Sequence, residues 1–141
     1  MKSVLIIDDE AEVGHALRRV LERAQFSVET AEGGAEGLAL LERKAPDLVI
    51  TDIIMPKMHG IDLIRTIKAR SSITRIIAIS GGGNFGPLQY QPDAITTSAY
   101  LAAASEAGAD AVLTKPFDKD ELLAVVDRLL NYESGSRADR D

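Results

Sequence analysis

The chain has 141 residues, of which 45% are hydrophobic and 27% are charged. This length and composition are typical of one soluble globular domain, and they exclude a disordered tail protein, a collagen-like fibre and a membrane bundle. Acidic residues outnumber lysine and arginine by 22 to 16, which gives a formal net charge of −6 and argues against direct nucleic acid binding. The absence of cysteine excludes disulfides, thiolate metal sites and a cysteine nucleophile.

Short apolar runs alternate with helical periodicities along the whole chain. The apolar runs lack polar alternation and predict strands that are buried on both faces, whereas the periodic segments predict amphipathic helices. Asp118 and Glu121 have the spacing of a helix-initiating capping box. In chain order, we predict a strand at 3–7, a helix at 11–24, a strand at 27–31, a helix at 34–44, a strand at 48–51, a helix around 61–67, a strand at 76–79, a helix at 99–107, a strand at 111–114 and a helix that begins at Asp118.

This order of elements predicts an α/β fold. Five buried strands that alternate with five helices are typical of a doubly wound parallel sheet with helices on both faces. We expect one domain at residues 1–131 and a disordered tail at 132–141, since the only apolar residue from Glu133 onward is Ala138. The first apolar run is too short for a signal peptide or a membrane span, so we expect a cytoplasmic protein without membrane insertion.

Chemically reactive residues follow four of the five predicted strands. Ligands of open α/β sheets bind at the carboxyl ends of the strands, so these positions are the candidate site. The residues are Asp8-Asp9-Glu10 after the first strand, Asp52 after the third, Ser80 after the fourth and Lys115-Pro116 after the fifth.

Together these segments resemble the receiver domain of bacterial two-component response regulators. The likeness covers about residues 2–130, and four motifs in the right order, each at a strand end, are a strong signal even though each motif alone is weak. The resemblance implies the flavodoxin-like strand order 2-1-3-4-5. The matching segments are Ile7-Asp8-Asp9-Glu10, Thr51-Asp52-Ile53-Ile54-Met55-Pro56 with Gly60, Ile79-Ser80-Gly81 and Leu113-Thr114-Lys115-Pro116-Phe117.

The resemblance implies a Mg²⁺ site. Asp9 and Asp52 would bind the ion directly, Asp8 through water, and the backbone carbonyl of Ile54 would complete the set of protein ligands. Elementary electrostatics supports this role, because three carboxylates at one sheet edge would repel each other and raise each other's pKa values. Mg²⁺ takes one or two carboxylates and a phosphate while it keeps several waters, and it would relieve that repulsion.

The resemblance also implies a phosphoryl acceptor. Asp52 would be the nucleophile that takes a phosphoryl group from a phosphohistidine, and the donor would be a sensor histidine kinase or a histidine phosphotransfer protein. Transfer spreads negative charge over the phosphoryl oxygens, which Lys115 and Ser80 would hold together with the metal. Pro116 would follow a cis peptide bond that aims Lys115 inward.

The sequence departs from the family pattern after Ser80. The interval from Ser80 to Lys115 is unusually long, and the additional segment 81–92 is rich in glycine with interspersed aromatic residues. It is interpreted either as a loop that reports phosphorylation or as a passive surface insertion, and a third possibility is a longer fourth helix.

A second departure is Val112, which stands where receivers commonly carry a switch tyrosine or phenylalanine, three residues before the lysine. The usual coupling between the hydroxyl of Ser80 and that ring is therefore absent.

We expect a free-standing receiver whose output is binding of an unknown downstream protein or onward phosphotransfer, and which is not a turnover enzyme. Three alternatives remain. An aspartyl-phosphate phosphohydrolase would need Asp-x-Asp after the first strand, where this chain has Asp8-Asp9-Glu10. A degenerate receiver would not need an intact set of site residues. A flavodoxin-like flavin carrier would place its phosphate beside acidic residues that repel it.

Overall fold

Five strands alternate with five helices in the part of the chain that the structure describes. The computed structural model describes residues 1–53, 60–80 and 102–138. All five predicted strands are present, each with bounds within one residue of those expected. The strands are β1 (Ser3–Ile7), β2 (Ser27–Ala31), β3 (Leu48–Asp52), β4 (Arg75–Ser80) and β5 (Ala111–Thr114). The helices are α1 (Ala11–Arg23), α2 (Gly34–Arg43), α3 (Gly60–Arg70), α4, of which residues 102–107 are described, and α5 (Lys119–Ala138).

The strands form one parallel sheet in the order β2-β1-β3-β4-β5, which confirms the predicted order. β1 lies between β2 and β3, with Val4 opposite both Val28 and Leu48. Since all five strands run in the same direction, the residues that follow β1, β3, β4 and β5 meet at one edge of the sheet. This edge carries the candidate site.

Both faces of the sheet are buried under helices, which explains the apolar runs without polar alternation. On one face the strands pack against α2, α3 and α4, with Ile64, Ile67 and Ala104 fully buried. On the other face they pack against α1 and α5, with Leu21 and Val126 fully buried. The two hydrophobic clusters fix the sheet between its helix layers.

α5 begins with the predicted capping box. The side chain of Asp118 accepts a hydrogen bond from the Glu121 N–H at 2.8 Å, and the side chain of Glu121 accepts one from the Asp118 N–H at 3.1 Å. The helix continues through Ala138, beyond the domain boundary at residue 131 that the sequence analysis predicts. That boundary stays a prediction, and residues 139–141 lie outside the described part of the chain. In the described ranges, no helix combines the length and the apolar character needed to cross a membrane.

Candidate functional site

The end of β1 turns one carboxyl group inward and leaves the next one in solvent. The Asp8 N–H donates to the carbonyl of Ala31 at 3.0 Å, which extends the β1–β2 pairing by one residue. Asp8 is 2% exposed, and its Oδ1 accepts a hydrogen bond from the backbone N–H of Glu10 at 2.8 Å. Asp9 is exposed. Both aspartates are predicted from the sequence, whereas the role of the Glu10 backbone in orienting Asp8 is not.

Asp8, Asp9 and Asp52 form a carboxylate cluster. β3 lies beside β1 and ends at Asp52, so the three side chains converge, and one carboxylate oxygen from each lies within 4.8 Å of the others. In the parts of the chain that the structure describes, this is the one group of three acidic or histidine side chains close enough to hold a metal ion. The predicted gathering of the three carboxylates is therefore present.

The environment of Asp8 raises the pKa of its carboxyl group from the ordinary 3.8 to about 6. Burial is the main cause, because it disfavours the charged form. The hydrogen bond from Glu10 and the nearby ammonium of Lys115 oppose this shift, whereas the negative charges of Asp52 and Asp9 add to it. The cluster is thus a site where negative charge is crowded and where the Asp8 carboxyl group is shielded from water.

Lys115 approaches the same cluster from the end of β5. Its Nζ lies 3.6 Å from Oδ2 of Asp52, and the two side chains are only 22% and 13% exposed. The Lys115 N–H donates to the carbonyl of Ser80 at 3.0 Å, so the end of β4 holds the end of β5. The peptide bond between Lys115 and Pro116 is cis, as predicted.

Two polar atoms at this edge are buried without a hydrogen-bond partner among the described residues. They are Oδ2 of Asp8 and Oγ of Ser80, and each residue is 2% exposed. An unpaired buried polar group is costly, so such atoms call for a partner beyond the described residues. A cation suits the carboxylate oxygen, and an anionic oxygen suits the hydroxyl group. The residues therefore fit Mg²⁺ and a phosphoryl group.

Gly60 holds the start of α3 against the end of β3. Its N–H donates to the carbonyl of Ile53 at 2.9 Å, and an ideal Cβ at Gly60 would lie 2.6 Å from the carbonyl carbon of Ile53. Only glycine permits this approach next to Asp52. Gly60 belongs to one of the predicted motifs, but its role in this contact is not predicted from the sequence. The available signal is a glycine at the start of a helix.

Two predicted features lie outside the described residues, and a third, the aliphatic residue on β5, is described. Ile54, whose carbonyl is the predicted fourth metal ligand, and the additional segment 81–92 lie outside the described part of the chain. Val112 is partly buried on β5 and packs against the hydrophobic cluster that lies between the sheet and helices α2, α3 and α4. An aliphatic side chain thus occupies the position of the family's switch ring.

Comparison with known proteins identifies the family. The model of the response regulator receiver domain matches residues 4–127. The chain belongs to this family, as the resemblance of its motifs predicted. It is a phosphoacceptor domain of two-component signalling, and its family is one of signalling domains rather than of typical enzymes.

The curated relatives include longer regulators. The response regulator MprA of Mycobacterium sp. strain KMS is 32% identical over 131 residues, which are 93% of this chain and 51% of MprA. The DNA-binding transcriptional regulator NtrC of Escherichia coli K12 is 35% identical over 129 residues, 92% of this chain and 25% of NtrC. The chain thus spans about half the length of the first relative and a quarter of the second.

Solved structures of similar length share the fold. A CheY-like receiver domain protein from Methanospirillum hungatei has a TM-score of 0.81 and 25% identity, with 96% of this chain and 98% of that chain covered. The chemotaxis protein CheY4 of Vibrio cholerae has a TM-score of 0.75 and 27% identity, with coverage of 92% and 99%.

Proposed function

We propose that Asp52 accepts a phosphoryl group from a phosphohistidine and that Lys115 and Ser80 hold the transferred group. The observation that carries this proposal is the position of the Lys115 ammonium, 3.6 Å from Oδ2 of Asp52, beside the carboxylate cluster. Asp52 is the member of the cluster that lies within ion-pair distance of this lysine. The buried Oγ of Ser80 supplies a hydroxyl donor at the neighbouring strand end.

The reaction is a transfer between two nucleophiles. A carboxylate oxygen of Asp52 forms a bond to phosphorus while the bond from phosphorus to the donor's imidazole nitrogen breaks, and the electron pair of that bond returns to the ring. Negative charge spreads over the three remaining phosphoryl oxygens during transfer. Lys115 and Ser80 stabilise this charge, because one supplies a partly buried cation and the other a hydrogen-bond donor.

We propose Asp8, Asp9 and Asp52 as the protein side chains that hold Mg²⁺. Two observations support this assignment: Oδ2 of Asp8 is buried with no partner in the described part of the chain, and three carboxylates are crowded within 4.8 Å. When bound, the ion neutralises part of the negative charge and orients the phosphoryl oxygens. Ile54 stays the proposed backbone ligand.

The proposed phosphodonor is a sensor histidine kinase or a histidine phosphotransfer protein, and the proposed location is the cytoplasm. The output of this chain is proposed to be binding of a downstream protein or onward phosphotransfer. NtrC, which is a DNA-binding regulator, matches this chain over a quarter of its own length. The net charge of −6 supports a protein rather than a nucleic acid as the direct partner of this chain.

The acceptor assignment is tested with the substitution Asp52→Asn. Incubation with acetyl phosphate and Mg²⁺, followed by intact mass measurement, should add one phosphoryl group to the wild-type chain and none to the variant. Asp62→Asn, which removes an exposed carboxylate on α3, is the control and should be labelled like the wild type. Full labelling of Asp52→Asn would show that another residue is the acceptor. Continuous release of phosphate from p-nitrophenyl phosphate would instead support the phosphohydrolase.

A further inference from the structure

Lys115 directly follows β5, which is a short strand at one side of the sheet. It has four residues, lies at the sheet edge and pairs with β4 alone. Of its four residues only Leu113 is buried, and the other three are partly or fully exposed. A four-residue strand with a single paired neighbour has few backbone hydrogen bonds to hold its register, and a slip by one residue turns every side chain to the opposite face. Such a slip would carry Lys115 away from Asp52.

A partly buried pair of hydrogen bonds fixes the start of β5. The side chain of Asp110 accepts a hydrogen bond from the Ile76 N–H at 2.8 Å, and the Asp110 N–H donates to the carbonyl of Ile76 at 2.8 Å. Two cations face the same carboxylate, Lys68 at 3.2 Å and Arg75 at 3.6 Å, and the carboxylate is 21% exposed. These groups come from α3 and β4, so Asp110 ties the start of β5 to both elements.

A matched arrangement exists at the start of β3. Asp47 also precedes its strand by one residue, and its side chain accepts a hydrogen bond from the first N–H of the neighbouring strand, that of Ser3, at 2.8 Å. Asp47 and Asp110 each stand five positions before a residue of the site, Asp52 and Lys115 respectively. The two strands differ in how many neighbours and buried residues hold them. β3 is central and its first four residues are fully buried, whereas β5 is a partly exposed edge strand.

We propose that Asp110 is a positioning residue for Lys115: its hydrogen bond to Ile76 sets the register of β5 and thereby the distance between the ammonium and Asp52. This inference rests on the proposed function, since it assigns Lys115 a role in phosphorylation. Asp47 has only a structural role, because burial and two neighbouring strands already fix the register of β3.

The test is a double-mutant cycle on the rate of labelling by acetyl phosphate with Mg²⁺. Asp110→Ala should slow labelling by roughly ten- to a hundredfold, since small misplacements of a positioned group have effects of this size. In a Lys115→Ala background the same substitution should change the rate by less than about twofold, because the group that it positions is gone. Asp110→Asn keeps an oxygen acceptor for the Ile76 N–H and should restore a rate near that of the wild type.

Asp47→Ala is the matched control for general destabilisation. At a temperature where thermal unfolding shows every variant to be folded, this control should be labelled at the wild-type rate, and Mg²⁺ affinity should be unchanged in both alanine variants. An equal loss of rate from Asp110→Ala with and without Lys115 would overturn the proposal, and so would an Asn variant as slow as the alanine variant. Absence of labelling in the wild type would instead overturn the proposed function.

Hydrogen exchange of the Lys115 amide tests the positioning independently of any phosphorylation. This amide donates to the carbonyl of Ser80 and reports whether β5 keeps its register. Its exchange should be at least about tenfold faster in Asp110→Ala than in the wild type and unchanged in Asp47→Ala. Equal protection of this amide in the wild type and in Asp110→Ala would contradict the proposal.

Discussion

Asp8 has an almost fully buried carboxyl group, and one of its two oxygens has no partner among the described residues. Its pKa is raised to about 6, chiefly by burial, so the folded chain binds this proton more tightly than the unfolded chain does. Below the unfolded pKa of 3.8 both states are protonated and the shift costs nothing. Once the pH has risen through 6, the folded chain carries the charge on Asp8, and the free energy of unfolding is lowered by the full amount, about 3 kcal/mol.

We therefore predict that Asp8→Asn stabilises the metal-free chain in a pH-dependent way. The gain in free energy of unfolding should be only about 0.5 kcal/mol at pH 4 and about 3 kcal/mol at pH 7.5, because asparagine keeps the acceptor for Glu10 but never ionises. Urea unfolding in the presence of a chelator, measured over this pH range, gives the difference directly.

The control for this prediction is Asp62→Asn, whose carboxylate is exposed and lies outside the carboxylate cluster. It should not reproduce the pH-dependent gain. An Asp8→Asn variant that is equally stabilised at pH 4 and at pH 7.5 would mean that the gain does not come from the ionisation of Asp8.

At the scale of elements, the junction between β3 and α3 depends on a close backbone contact. Gly60 begins α3 and packs on the backbone of Ile53, which directly follows Asp52. The atoms that a side chain would meet belong to the backbone, so they cannot move aside without shifting the end of β3. The absence of a side chain at Gly60 thus helps to place the proposed phosphoacceptor.

Gly60→Ala should lower the free energy of unfolding by at least about 2 kcal/mol, because overpacking against a rigid backbone is relieved only by displacement. Gly14→Ala on α1 is the matched control. A Cβ at Gly14 would make only an ordinary contact, 3.9 Å from Cγ2 of Thr30, and alanine is the better helix former. Chemical denaturation should show the control to be equally stable or more stable than the wild type. Comparable losses in both variants would contradict the role of the close contact.

At the scale of the whole molecule, the sheet order makes the site a meeting point of distant segments. β1 and β3 adjoin, so Asp9 and Asp52 come together although 43 positions separate them in sequence. An ion bound between them stabilises the folded chain, since the unfolded chain does not hold these groups together. The charge repulsion of the empty cluster works in the opposite direction.

We predict that Mg²⁺ raises the thermal unfolding midpoint and that Asp9→Ala removes most of this effect. At a hundred times the dissociation constant, binding contributes about 2.7 kcal/mol, or roughly 8 °C for a chain of this length. In the Asp9→Ala variant, Mg²⁺ should raise the unfolding midpoint by less than about 2 °C. The metal-free midpoint of this variant should equal or exceed that of the wild type, because one repulsive charge is lost.

Differential scanning calorimetry with and without Mg²⁺, at matched ionic strength, measures both effects. Asp62→Ala should retain the full wild-type shift. If Mg²⁺ raised the unfolding midpoint of Asp9→Ala as much as that of the wild type, Asp9 would be excluded as a direct ligand.

Much of the fold follows from local patterns in the sequence. The apolar runs predicted all five strands within one residue, because strands buried on both faces require continuous apolar residues. The capping box of Asp118 and Glu121 was also predictable, since both partners lie within one helical turn. The reactive residues at strand ends were predictable because parallel strands present their carboxyl ends at one edge, and the strand order came from the family resemblance.

Only the tertiary structure decided the environments of these residues. The raised pKa of Asp8, the contact of Gly60 with Ile53 and the hydrogen bonds between Asp110 and Ile76 each join segments that the sequence patterns treat separately. Local periodicity records which residues are apolar and where an element begins. It does not record which atoms of other elements surround a given side chain, and burial, electrostatic repulsion and close packing depend on those atoms.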